Sequence, residues 1–328
     1  MRRLGIAAGV LFSPLRRQLA TRSLWIGVAL SLVIFLPNLF WQIQHHFISL
    51  DFLRHIHARD VRIGRTKDFL IDQVRMNQFG LLLALAGLYF YFLSPRAAQW
   101  RPLGWLYVLP FTLFLVLQGR GYYLAPAYPV LFAGGAVWLE QYTIKWGETG
   151  FQVVLTIVAL AFAIDIAITA AVVLPIAPIN SNWWKFAVRN NDDLAEEIGW
   201  PDLVETIARV RDSLLDNERP PLGILAGNYG EAGAINLYGG QYHLPPAISG
   251  TNSFWARGYG DPPPETVIVV GFDRDFVEHY FDSFRLAAHN SNRYGVANEE
   301  STQHPDIFVC HGLRMSWPDF WKKFQRFG

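Results

Sequence analysis

Residues 151–174 read FQVVLTIVALAFAIDIAITAAVVL, twenty-four residues in which Asp165 is the only charge. A helix of about 20 residues crosses the hydrocarbon core of a bilayer, so this stretch predicts a transmembrane helix. Working back toward the N-terminus, four further apolar runs precede it, at 24–41, 74–93, 102–117 and 122–139. About five transmembrane helices are therefore expected in residues 1–174. Past Leu174 the pattern turns into that of an ordinary water-soluble α/β domain. One half of the chain is written for lipid and the other for water.

Charge follows the same division. Residues 1–174 carry 15 Lys and Arg against 7 Asp and Glu, and residues 175–328 carry 13 against 20, so the near-neutral total conceals a basic half and an acidic half. Arg2, Arg3, Arg16, Arg17 and Arg22 precede the first run, Arg96 and Arg101 separate the second from the third, and Lys145 separates the fourth from the fifth. If the runs alternate, these cations share one side, which the positive-inside rule makes cytoplasmic. An odd number of crossings then puts the C-terminal half outside, as a periplasmic or extracellular domain of a multi-pass plasma-membrane protein. The 42–75 loop is also basic, and it is diluted by Asp51, Asp60, Asp68 and Asp72. A lone cysteine, Cys310, excludes an internal disulfide. Nucleic acid is not an expected partner; the lipid bilayer is.

The expected architecture is mixed: an α-helical membrane bundle over 1–174, a linker at 175–198 in which Trp183 and Trp184 sit at the lipid–water boundary, and an external α/β domain over 199–328. In that domain strand patterns at 222–226, 247–249, 266–270, 285–288 and 306–310 alternate with helix patterns at 202–215, after the 227–230 turn through about 238, and at 275–284. Such alternation predicts a mostly parallel sheet with helices on its faces. Residues 49–58 have helical spacing, which fits both a helix on the membrane surface and a solvated loop helix.

Four features could carry chemistry. Gln118-Gly119-Arg120-Gly121-Tyr122-Tyr123 is a short turn between two apolar runs, on the expected external side. An arginine there can grip an anionic headgroup through paired hydrogen bonds, or can simply snorkel within an aromatic belt. Asp165 lies inside an apolar run, where a carboxylate marks either a catalytic group or a structural hydrogen bond to a neighbouring helix. His45, His46, His55 and His57 match no zinc spacing and read as scattered interfacial histidines. Gly227-Asn228-Tyr229-Gly230-Glu231-Ala232-Gly233 follows a strand and opens a helix, the setting of a phosphate-cradling loop. Its spacing is not the dinucleotide fingerprint, the expected acid after the next strand is absent, and a tight strand-to-helix turn is the favoured reading.

Pro37-Asn38-Leu39-Phe40-Trp41-Gln42, His45-His46 and Asp51-Phe52-Leu53 resemble the segment that closes the membrane core of bacterial family 39 glycosyltransferases. These are relatives of the protein O-mannosyltransferases and of the transferase that adds aminoarabinose to lipid A. Arg120-Gly121-Tyr122-Tyr123-Leu124-Ala125-Pro126-Ala127-Tyr128-Pro129 is similar to another stretch of the same proteins, and Asn228–Ala234 and Ile248–Ser253 are similar to their external tail. The similarity covers almost the whole chain.

The resemblance implies sugar transfer from a polyprenyl-phosphate donor to a lipid, glycan or protein acceptor on the external face. Arg120 would contact the carrier phosphate, Tyr122 and Tyr123 would line the pocket, and His45, His46 and Asp51 would lie in the loop covering the donor. The family's catalytic acid, usually within an Asp-Glu pair of the first external loop, has no counterpart here. The chain is therefore expected to represent a C-terminal portion, with its catalytic residues unassigned. No cofactor is identified, and a divalent cation is left undecided. The alternative is a non-catalytic, membrane-anchored protein that binds a glycan or a partner.

Overall fold

The computed structural model describes residues 20–215 and 221–327. Arg2, Arg3, Arg16 and Arg17 lie outside them. The chain divides into two compact units, one ending at Thr169 and one beginning at Ala170.

The first unit is helical: α1 (Arg22–Gln44), α2 (Ile48–Arg62), α3 (Phe69–Asn77), α4 (Gly80–Leu93), α5 (Arg101–Val116), α6 (Tyr128–Thr143) and α7 (Gly147–Val173), the last running on into the second unit. Two helical stretches are long and apolar enough to cross a membrane. One is α1, and the other is Gly121–Val173, which contains α6 and α7. Their mean hydropathies are 2.0 and 2.5 over the most apolar window.

The other expected runs form shorter or broken helices. Residues 74–93 do not make one rod, because α3 and α4 meet at 106°. The break falls where Gln78 takes φ 43° and ψ −118°, a conformation no helix can continue through. Counted together, that pair would be a third crossing. α5 has 16 residues, about 24 Å of helix, less than the hydrocarbon thickness.

Small residues let α4 and α6 pack backbone to backbone. A Cβ on Gly87 would fall 2.0 Å from the carbonyl oxygen of Leu131, and one on Gly135 would fall 2.0 Å from that of Leu83. This is how helices associate where lipid removes the hydrophobic drive between them. Tyr91 adds a hydrogen bond to the Val130 carbonyl (2.8 Å). Around this pair Ala84, Phe90, Tyr107, Leu124, Tyr128 and Leu131 form the core. Neither α1 nor α7 buries a residue. Their open apolar faces suit a hydrocarbon surrounding rather than water. Asp165 on α7 accepts a hydrogen bond from the amide of Gly80, the first residue of α4 (3.1 Å), so it serves as an anchor between helices.

The second unit continues with α8 (Asn182–Asn190) and α9 (Asp193–Glu196), both within the expected linker, then α10 (Trp200–Asp212), β1 (Leu222–Ala226), α11 (Tyr229–Tyr238), β2 (Ala247–Ile248), β3 (Thr266–Val270), α12 (Arg274–Tyr280), β4 (Phe281–His289), α13 (Glu299–Thr302), β5 (Asp306–Leu313) and α14 (Trp317–Lys323). The strand order is β2-β1-β3-β5-β4. β1 pairs in parallel with β2 and β3, whereas β5 pairs antiparallel with both β3 and β4.

The sheet is thus mixed, and the expectation of a mostly parallel one is corrected. The connection from β4 to β5, residues 290–305, holds only the one-turn helix α13 and no helix long enough to cross a face of the sheet. The chain instead returns as a wide hairpin and slots β5 between β3 and β4. The helix expected at 275–284 also ends early, because Phe281 already begins β4. Alternate residues of β1, β3 and β5 face two cores. Ile224, Ile268 and Val309 pack with α10 and α11, and Leu225, Val269 and Cys310 pack with α12 and α14.

Candidate functional site

Asp60 and Arg120 form the one strongly buried ion pair of the first unit among the described residues. α2 carries the carboxylate. Its buried positions are Ile56 and Asp60, four residues apart and therefore stacked on one face. The turn before α6 carries the guanidinium. Gly119 lies under the Phe114 ring, and Gly121 sits where a Cβ would fall 2.5 Å from Cβ of Asp72, so glycines on both sides let the turn press against α3 and α5. Arg120 itself is extended (φ −75°, ψ 140°) and opens the 3-10 turn Gly121–Ala127.

Arg120 Nε donates to Asp60 Oδ2 at 2.5 Å, and one of its terminal nitrogens donates to the Tyr122 hydroxyl at 2.8 Å. The side chains of Arg120 and Asp60 are 19% and 5% exposed, so the pair is largely shielded from water. Arg59 approaches the other carboxylate oxygen at 3.6 Å. The hydrogen bond from Arg120 holds the Asp60 carboxyl below the usual carboxylate range despite its burial, and the fields of Arg59 and Arg65 act in the same direction. Two guanidiniums, Arg120 and Arg59, thus lie against one carboxylate, while the carboxylate of Asp72 stands close to Gly121 of the same turn.

A second polar chain holds the turn from behind. Gln73 Nε2 donates to the carbonyls of Phe69 (2.8 Å) and Gly121 (3.2 Å). The Tyr128 hydroxyl donates to Gln73 Oε1 (2.9 Å) and meets the Tyr107 hydroxyl at 3.0 Å. Such a network fixes the turn, since breaking any member would strand a buried polar atom. On the other side of the turn lies an apolar cavity of about 300 Å³, lined by Leu106, Pro110, Phe114, Tyr123, Leu124 and Pro126. Tyr123 packs against both Phe114 and Tyr122. The cationic turn therefore opens beside a hydrocarbon-lined recess.

The sequence-expected residues divide. Arg120, Tyr122 and Tyr123 come together. His45, His46 and Asp51 form no hydrogen bond, ion pair or ring contact with them among the described residues. His45 stacks on Trp41, and Asp51 pairs with Arg54 at the surface (3.3 Å). Asp60, Gln73 and Tyr128 were missed. The available signal was a polar side chain on an otherwise apolar helical stripe: Asp60 after Ile56, and Gln73 and Asn77 after Phe69.

In the second unit the Gly227–Gly233 loop is occupied by its own side chain. Glu231 Oε2 accepts from the amides of Gly227 (2.8 Å) and Asn228 (3.2 Å), while Asn228 caps the Glu231 amide (2.8 Å). A carboxylate of this chain fills the position a phosphate would take, so the loop is a capped turn. Comparison with known proteins finds no matching family model, no curated relative and no solved structure of significant similarity.

Proposed function

We propose that the first unit receives the phosphate and the first isoprene units of a polyprenyl-phosphate sugar, as part of a membrane glycosyltransferase-like protein of the family 39 kind. In this reading all five apolar runs are embedded in the plasma membrane, the second unit is external, and the sugar passes to a lipid, glycan or protein acceptor. The observation that carries it is the juxtaposition of the Arg120 turn with the apolar recess behind Tyr123. A lipid-linked phosphate makes both demands at once: a cationic, hydrogen-bonding head site and a dry groove for its tail. Asp60 is the wrong group for a general base, because a carboxylate held below its ordinary pKa by Arg120 is a weak proton acceptor. The reading is accordingly one of donor binding, and no catalytic residue is assigned. What favours the second reading, a non-catalytic binding protein, is that Arg120 already has an anionic partner in Asp60.

The test is binding of a polyprenyl phosphate to the full chain in nanodiscs, measured by native mass spectrometry. The wild type binds saturably, and Arg120→Ala weakens binding by about tenfold or more, as expected for the loss of a charge-assisted contact. The surface variant Arg274→Ala binds as the wild type does. Equal affinity in all three proteins would exclude Arg120 from a headgroup site.

A further inference from the structure

α8, the helix Asn182–Asn190, carries Trp183 and Trp184, both expected at the lipid–water boundary, but only Trp183 faces outward, and the helix is unusual for the start of a water-soluble unit. Its sequence is NWWKFAVRN. Ala187 is fully buried, and Trp184 and Val188 are half-buried, so these three define the inward face. The outward face presents Trp183 at 40% and Phe186 at 54% exposure, with Lys185 and Arg189 exposed beside them. Among the described residues neither cation has a carboxylate within ion-pair distance. Two aromatic rings and two free cations on one exposed face are what a helix lying in a lipid headgroup layer requires: rings at the acyl boundary and cations at the phosphates.

Where this helix lies is set by its ends. The indole N–H of Trp183 donates to the carbonyl of Ala171 (2.8 Å), and the Asn191 side chain reaches the carbonyl of Val172 (3.5 Å). Both carbonyls belong to the final turn of α7, which has no later helical amide to satisfy them. The helix is thereby pinned at both ends to the end of a membrane-crossing segment, while Leu174 and Ile176 in the intervening loop are also exposed. It is formed in advance as well. Ser181 caps the Trp184 amide (3.0 Å), and Asn190 closes the last turn onto the Phe186 carbonyl (2.8 Å).

We propose that α8 is a monotopic membrane anchor. It lies in the headgroup layer of the leaflet where α7 ends, with Trp183 and Phe186 in the acyl boundary and with Lys185 and Arg189 on the phosphates of anionic phospholipids. The occupant of this face is the bilayer surface, because the face continues directly from the end of the span and its free charge complements lipid phosphate. The proposal is independent of any sugar transfer and of which side of the membrane α7 exits.

The test uses the full chain in vesicles of phosphatidylcholine and phosphatidylglycerol, with an environment-sensitive thiol label at Phe186→Cys and, separately, at Asn190→Cys. Cys310 is fully buried, so the unsubstituted protein measures background labelling. A label at Leu237→Cys, on the exposed face of α11 (73% exposed), is the aqueous reference. The anchor predicts blue-shifted emission at Phe186→Cys, quenching by shallow doxyl-labelled lipid, and roughly threefold less iodide quenching than at Leu237→Cys. Asn190→Cys behaves similarly. Adding Lys185→Gln and Arg189→Gln returns iodide access in vesicles rich in phosphatidylglycerol. Iodide access at both α8 positions equal to that at Leu237→Cys, without doxyl quenching, would overturn the proposal. So would a label shielded from iodide and untouched by doxyl lipid, since that outcome means protein covers the face.

Discussion

Replacing Glu231 with glutamine should stabilise the second unit at neutral and alkaline pH and leave it nearly unchanged in acid. Glu231 is 2% exposed and lies where the ends of β1 and β3 converge. Burial pushes its carboxyl up to about 7 from an ordinary 4.5, with Glu300 and Glu299 adding repulsion and the amides of Asn228 and Gly227 opposing the rise only in part. Glu300 is itself raised, mainly by burial, so the two carboxyls act in the same direction. A carboxyl whose folded pKa exceeds its unfolded value binds its proton more tightly when folded. Its penalty is absent below about pH 4.5, grows as the pH rises toward 7, and stays constant above. At 1.36 kcal/mol per pKa unit the shift corresponds to about 3 kcal/mol as a ceiling. Glutamine keeps the shape and an oxygen for the two amides, and its new N–H group can face Glu300.

Cys310 makes this measurable within the intact protein. It is the chain's single thiol, on β5 in the middle of the sheet, and is fully buried. Its modification by a thiol reagent reports opening of the second unit whatever the first unit does. Thiol chemistry has its own pH dependence, which cancels when wild type and Glu231→Gln are compared at each pH. The ratio of their modification rates should be near one at about pH 4.5 and should climb toward roughly two orders of magnitude by about pH 8, with the wild type the faster to react. A ratio that stayed flat across the range would refute the claim that burial of an ionised Glu231 opposes folding. A ratio that rose toward acid would reverse its sign.

The remaining predictions concern the first unit. Asp60→Ala leaves a largely buried guanidinium unpaired and should destabilise by about 3 kcal/mol, the low end for breaking a buried pair. Adding Arg120→Ala should restore part of that loss, and thermal melting of the four proteins in one detergent tests whether the two effects fail to add. Gly135→Ala would place a Cβ 2.0 Å from the Leu83 carbonyl oxygen. Forcing α4 and α6 apart should lower stability by about 1–3 kcal/mol. The same change at Gly233, where a Cβ meets nothing within 4 Å, should be neutral or mildly stabilising in the same melting experiment.

The division of the chain was readable because lipid and water impose different compositions over tens of residues, and such a signal survives local error. β3 was equally readable, since TVIVV is a β-branched run ending at a glycine, and β1 showed as a short apolar run between Pro221 and Gly227. The orientation of β5 was not. Whether a strand runs parallel or antiparallel depends on where the chain inserts it, and nothing within Asp306–Leu313 records that it lies between β3 and β4. The bend between α3 and α4 was hidden for a related reason: the apolar run taken from Val74 begins inside the mixed helix α3, and hydropathy averaged over 74–93 passes across Gln78 without marking a kink.

The candidate site shows the same limit more sharply. Arg120 was conspicuous because a cation beside two tyrosines in a short apolar turn is rare, but its partner stands 60 residues earlier in a loop dense with charges. Seen along the sequence, Asp60 only dilutes the basic character of that loop. Seen on α2, it is the polar member of a buried face, four residues after Ile56, and a buried carboxylate must find a cation. The periodicity that marks a core stripe therefore also marks its exceptions. A polar residue that keeps the helical spacing of an apolar stripe is a candidate for a long-range partner. Gln73 and Asn77 follow Phe69 by that rule, and Gln73 binds the carbonyl beside Arg120 itself. Two such exceptions, on helices separate in sequence, converge on one turn. That convergence, more than any single residue, locates the site, and it is why severing Asp60 from Arg120 should disturb the turn more than removing both.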